Sequence, residues 1–174
     1  MLRDEIIEYL YVLNEKLQRQ NVKGEICLYG GAVMCLVYDA RPSTKDVDAI
    51  FQPTEIIREA AKEIANEYGL VDDWLNDGVK GFLVDHPRQV FLNLSHLLVM
   101  VADPEYMLAM KSLSARIDGT DSKDIEFLIS KLKIKTVEEV FNIIDKYYPR
   151  RVIKPATQFF LEEVFDETHD NSRS

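Results

Sequence analysis

The sequence predicts an α/β (α+β) fold, a mixed sheet with packed helices that passes into a helical C-terminal half. Three observations predict it. Residues 28–51, LYGGAVMCLVYDARPSTKDVDAIF, read as strand, Gly-Gly turn, short helix, polar loop and strand. Residues 90–94 and 97–101 are apolar runs on either side of Ser95-His96, the pattern of a hairpin. Beyond residue 102 apolar positions recur with the helical period. The expected boundaries are 1–102 for the sheet-bearing part, 103–165 for the helical region and 166–174 for a polar, disordered tail.

Bulk properties narrow the function classes. A chain of 174 residues with 47% hydrophobic content can bury one real core with a helical extension. Its net charge of −9 argues against a surface that coats nucleic acid, although a local basic cluster can still hold RNA. No apolar run approaches the roughly 20 residues of a membrane span. The start, Met1-Leu2-Arg3-Asp4-Glu5, is too acidic for a signal peptide, so a cytoplasmic location with no membrane partner is expected. Cys27 and Cys35 fall in apolar segments and are expected to be reduced core thiols. His86, His96 and His169 are scattered without zinc-ligand spacing, and there is neither a P-loop nor a dinucleotide fingerprint.

Taken in order, residues 2–20 form an amphipathic helix, with Ile6, Leu10, Leu13 and Leu17 on its buried stripe. Asn21 and Gly24 suit its C-terminal end. Residues 25–29 are the first strand and 32–38 a short buried helix; Pro42 forbids helix in the loop that follows. In the strand 46–51, alternation sends Val47, Ala49 and Phe51 to the core and Asp46, Asp48 and Ile50 to the other face. Residues 54–68 are a helix with Ile57, Ala61, Ile64 and Tyr68 buried, stopped by Gly69. Residues 71–84 fit either a helical turn or a lid. Trp74 there can stack on a base or, more commonly, pack in the core, and Asn76, Asp77 and Lys80 form a polar stretch able to face a site.

Asp103-Pro104-Glu105 is a helix start with a capping acid and Pro in the first position. Its stripe is Tyr106, Ala109, Met110, Leu113 and Ile117; Lys111 and Arg116 lie off it, and Gly119 closes it. A second helix spans 121–133, burying Ile125, Leu128, Ile129 and Leu132. Thr136-Val137-Glu138-Glu139 is a capping box for a third, to about residue 147. Lys146, Arg150, Arg151 and Lys154 make the most basic cluster of an acidic chain, readable as a solvated linker or as a contact for RNA or an acidic protein. Pro155 opens the last helix, whose Phe160, Leu161, Val164 and Phe165 need a partner within this chain or in another.

The chemistry concentrates in 28–51. Asp46 and Asp48 stand about 6–7 Å apart along a strand, so their side chains can converge on one hard cation. Mg²⁺ (or Mn²⁺) is usually held by one or two carboxylates plus substrate phosphates. Gly30 and Gly31 let backbone N–H groups approach a phosphate closely, beside the positive end of a helix.

Tyr29-Gly30-Gly31 followed by Asp46-Val47-Asp48-Ala49 resembles the signature of the nucleotidyltransferase superfamily, the group with the DNA polymerase β-like palm. The wording GGA…YDAR-ST-DVDAIF, with Lys111…Arg116…Lys123-Asp124 later, is similar to bacterial nucleotidyltransferase-like proteins near the AbiEii toxin family. The resemblance implies a nucleotidyltransferase palm over residues 1–102 and transfer of a nucleotide from NTP to an RNA, such as a tRNA 3′ end, or to a protein hydroxyl. It implies Asp46 and Asp48 as catalytic metal ligands, and Gly30, Gly31, Arg41, Thr44 and Lys45 around the triphosphate. Lys111 would balance phosphate charge and Asp124 would organise the site or orient the acceptor. A toxin–antitoxin context, with a partner protein or homo-oligomer, is implied too.

One departure is plain. Members of that superfamily commonly carry a third carboxylate on a later strand, whereas 97–101 has none. Either Asp85 substitutes or the third ligand is missing. The alternatives to an enzyme are a catalytically silent nucleotide-binding protein and a protein-interaction module of the same fold.

Overall fold

The computed structural model describes residues 1–114 and 119–171, without the side chains of 167–171. It is a mixed α/β structure that divides into two compact units. The first comprises 1–83 and 87–102, and the second 84–86 with the chain from 103 onward.

The first unit is built on a five-stranded sheet. Its elements are α1 (Arg3–Arg19), β1 (Gly24–Leu28), α2 (Gly30–Leu36), β2 (Val47–Gln52), α3 (Thr54–Tyr68), β3 (Leu75–Asn76), β4 (Arg88–Asn93) and β5 (Leu97–Ala102). The strand order is β3-β2-β1-β5-β4. β1 runs antiparallel to β2 and parallel to β5; β4 and β5 pair antiparallel as the expected hairpin.

Alternation along the strands decides where the core lies. Ile26 and Leu28 of β1 stand in register with Phe51 and Ala49 of β2 and with Val99 and Val101 of β5. All six are buried, together with the α1 stripe Ile6, Leu10, Leu13 and Leu17 and with Ile57, Ala61 and Ile64 of α3. Each Val, Leu, Ile or Phe among them contributes about 1.5–3 kcal/mol by leaving water. Contact is close at Gly24, where an added Cβ would lie 2.8 Å from Leu17 Cδ1 and 3.2 Å from Ile57 Cδ1. Lys16, at the rim of the α1–α3 packing, is 7% exposed and bonds Glu63 at 2.9 Å and Glu67 at 2.7 Å. Burial lowers its pKa, but these two bonds outweigh it and leave a net rise.

The stretch after α3 takes the core alternative. β3 is a two-residue strand parallel to β2, followed by a 3-10 turn over Gly78–Phe82. Trp74 is 1% exposed, its Nε1 donates to the Ala61 carbonyl at 2.9 Å, and its ring meets Tyr9 edge-on at 5.4 Å. It is a core residue and not a base-stacking platform.

The second unit holds α4 (Pro104–Ser114), α5 (Thr120–Lys131), α6 (Val137–Tyr147) and α7 (Pro155–Asn171). The caps are those expected: Asp103 Oδ1 accepts from Tyr106 N–H at 2.9 Å, and Thr136 Oγ1 from Glu139 N–H at 3.3 Å. Arg116 and Ile117 lie outside the described residues, and Gly119 is the N-cap of α5. α7 continues to Asn171, into the stretch expected to be disordered; residues 172–174 lie outside the described ones. His86 packs flat on Tyr106 at 3.8 Å, and Tyr106 and Tyr148 share a hydroxyl–hydroxyl bond of 2.8 Å. Burial and then that bond push the Tyr148 pKa far up. Of the other histidines, His96 is half-buried and the side chain of His169 lies outside those described. No helix among the described residues is long and apolar enough to cross a membrane.

Two outcomes are expected. Trp74→Ala should destabilise the chain by about 3–5 kcal/mol in urea unfolding followed by circular dichroism, because it empties a large buried site. Cys27 and Cys35 are buried free thiols whose pKa burial raises above the usual thiol value of 9.0. Neither should react with iodoacetamide at neutral pH until urea unfolds the chain. A raised folded-state pKa gives stability that is complete below the unfolded thiol pKa and is lost as pH climbs through the folded one. The melting temperature should therefore fall on the alkaline side of pH 9.0, and less so in the Cys27→Ala/Cys35→Ala double variant.

Candidate functional site

The site grows from the end of the β1–β2 pairing. Tyr29 lies one residue past β1, yet its N–H still donates to the Asp48 carbonyl at 2.9 Å. The pairing thus carries the chain to the glycines alongside Asp48. Gly30 has φ of +58°, and a Cβ on it would lie 3.0 Å from Asp48 Oδ2. Conformation and space both demand glycine there. A Cβ on Gly31 would fall 1.5 Å from Arg41 Nη2 and 2.5 Å from Thr44 Oγ1. The guanidinium and the hydroxyl therefore lie directly over the Gly31 backbone. Arg41 Nε also donates to the Gly31 carbonyl at 3.4 Å.

The loop after α2 turns back to make this possible. Ala40 N–H donates to the Met34 carbonyl at 2.9 Å, and Asp39 takes a left-handed conformation with φ of 50°. Thr44 is buried, and its hydroxyl donates to the Asp46 carbonyl at 3.1 Å, fixing the approach to β2. Gly30, Gly31, Arg41, Thr44 and Asp48 are thereby gathered in one place.

Asp46 and Lys45 are placed less closely. β2 begins at Val47, whose N–H donates to the Trp74 carbonyl at 2.7 Å, so Asp46 is the last loop residue and not the first rung of the strand. Asp46 and Lys45 are exposed, and Asp48 is half-buried. Asp48 stands opposite Asn76 in the β2–β3 register, which brings an amide to the same sheet face. Asn76 Oδ1 accepts from Gly78 N–H at 3.0 Å. Asp77 instead pairs with Arg58 at 3.1 Å, and Lys80 is exposed.

Oxygen donors from Asp46 and Asp48 suit Mg²⁺ completed by substrate phosphates. Among the described residues, no three His, Cys, Asp or Glu side chains converge as a metal cluster. Strand β5 offers no third carboxylate, and Asp85, exposed, belongs to the second unit.

The second unit contains its own charged centre. Lys111 was expected beside the apolar stripe of α4; instead that helix is buried from Tyr106 to Ser112, and the Lys111 side chain is 6% exposed. Its Nζ lies 2.7 Å from Asp124 Oδ2, whose side chain is 3% exposed, and donates to Asp121 Oδ1 at 3.2 Å. Lys111 and Asp124 are thus partners of each other, and Asp121 is a member that the sequence did not single out. Its position one turn before Asp124, both facing α4, was the available signal.

Comparison of the chain with protein-family models, curated proteins and solved structures finds no match.

Removing one member of a buried ion pair leaves the other charge uncompensated. Asp124→Asn should cost about 3–5 kcal/mol in urea unfolding, whereas Lys111→Met with Asp124→Leu should recover most of that loss.

Proposed function

We infer that this chain is a nucleotidyltransferase-like protein that moves a nucleotide from an NTP to a hydroxyl of RNA or protein. The observation that carries the reading is that the Asp48 carboxylate lies against Gly30 while the Arg41 guanidinium and the Thr44 hydroxyl lie over the neighbouring Gly31. A side chain at Gly31 would displace the Arg41 guanidinium seated over it, and guanidinium binds phosphate oxygens in a bidentate manner. An acid beside that cradle would repel the same phosphate unless a cation lay between them. Asp46 and Asp48 would hold Mg²⁺ or Mn²⁺, which when bound supplies charge neutralisation at the phosphates and acidifies a hydroxyl.

In this reading the acceptor oxygen bonds to the α-phosphorus, the bond from that phosphorus to pyrophosphate breaks, and the hydroxyl proton passes to solvent. Arg41, seated over Gly31, offsets the charge that gathers on the departing oxygens, and exposed Lys45 adds positive potential nearby. Thr44 keeps Asp46 in reach of the cradle by holding its carbonyl. Lys111 and Asp124, which the resemblance implies too, pair with each other and with Asp121 inside the helical unit.

A second reading is a silent nucleotide-binding or protein-interaction module of the same fold, including a toxin–antitoxin component acting by contact. The lack of a carboxylate on β5 favours it.

Label transfer separates the two. The protein is incubated with each α-labelled NTP, Mg²⁺ or Mn²⁺, and total tRNA or bacterial lysate. Metal-dependent labelling that Asp46→Ala/Asp48→Ala loses by about 100-fold or more is expected of the enzyme. Thermal stabilisation by NTP·Mg²⁺ without labelling would leave the binding module, and neither response would leave the interaction reading.

A further inference from the structure

The loop bearing Arg41 and Thr44 is not held by the sheet alone. Thr44 N–H donates to the Met1 carbonyl at 3.0 Å, and the Met1 nitrogen donates to the Thr44 carbonyl at 2.7 Å. Leu2 and Ser43 form an antiparallel bridge. Residues 1–2 thus act as a one-rung strand laid along 43–44.

This segment is itself anchored twice. Leu2 N–H donates to Glu5 Oε2 at 2.7 Å, and Ile6 N–H to the Leu2 carbonyl at 3.1 Å, which fixes it to the first turn of α1. Arg3 Nε donates to the Leu36 carbonyl at 3.2 Å, at the last residue of α2. The Leu2 side chain is 56% exposed, so its burial adds little; the main-chain bonds do the holding. Without them Thr44 would present an unpaired N–H and carbonyl next to a buried side chain, a costly arrangement.

We propose that residues 1–3 are a positioning strap for the phosphate loop: they hold Thr44, and through it Arg41 and Asp46, over the Gly31 cradle and so set the affinity for a nucleoside triphosphate. This rests on the nucleotide reading for its ligand but not for its mechanics. A loop ordered before the ligand arrives loses less entropy on binding, which raises affinity without adding a contact. Arg3 and the main chain of Met1 and Leu2 are positioning groups; none is placed against the ligand.

The test deletes Met1 and Leu2 and, separately, makes Arg3→Ala. Hydrogen–deuterium exchange is followed across the chain, and ATP·Mg²⁺ is titrated by thermal shift. The deletion is expected to speed exchange in peptides covering 40–46 by about tenfold or more while β1 and β5 exchange as in the parent. Its apparent Kd for ATP·Mg²⁺ is expected to rise by about tenfold. Arg3→Ala keeps the main-chain pair and should shift both readouts in the same direction by less. Parent-like exchange at 40–46 in both variants overturns the strap. Faster exchange there with an unaltered Kd overturns its role in affinity. Global loss of protection in the deletion, with a parent-like Arg3→Ala, overturns it too, since the segment would then serve the fold and not the loop. A parent that binds no NTP removes the nucleotide reading and the affinity effect with it, while the exchange comparison still decides the mechanics.

Discussion

The pairing of β1 with β2 is the constraint from which the site follows. Its register sets Leu28 opposite Ala49, and the next bond, from Tyr29 N–H to the Asp48 carbonyl, extends the ladder beyond the formal end of β1. A slip of one residue would turn Asp48 into the core and Ala49 out of it. The buried row of Val47, Ala49 and Phe51 forbids that slip, because it would carry all three out of the core. Burial on one face of the sheet therefore aims a carboxylate on the other, and delivers two glycines beside it.

Around that pairing the chain accepts local costs. Gly30, the first residue of α2, and Asp39, beyond its end, adopt left-handed backbone conformations. For glycine this is nearly free, and for aspartate it costs about 1 kcal/mol or so. Together they reverse the chain tightly enough that a loop ten residues downstream returns over Gly31. The second unit accepts a cost of a different kind, burying Lys111 with Asp124 and half-buried Asp121. Such a centre gives little net stability over an apolar one.

Much of this was legible in the residues. The period of 3.6 in α1, the alternation of β2 and the caps at Asp103 and Thr136 are local signals that appear where the pattern puts them, and α3 buries Ile57, Ala61 and Ile64 as expected but leaves Tyr68 41% exposed. The resemblance implied Gly30, Gly31, Arg41, Thr44 and Lys45 beside Asp46 and Asp48, and the fold places Arg41 and Thr44 over Gly31 and Gly30 against Asp48. Less legible were β3, two residues long, and the burial of Lys111. A short edge strand carries too few residues for a period, and a lysine surrounded by apolar positions shows its partner only when the facing helix is in place.

By itself the sequence determined the longer helices and strands and most of their core faces, because these depend on neighbours a few residues apart. It could not assign Trp74 to the core, put Asn76 beside Asp48, end β2 short of Asp46, or pair residues 1–2 with 43–44. Those arrangements join residues 13 to 43 positions apart through hydrogen bonds whose geometry exists only once the sheet and its helices have closed. Tertiary structure decided them, since a main-chain donor carries no mark in the sequence of the acceptor it will meet.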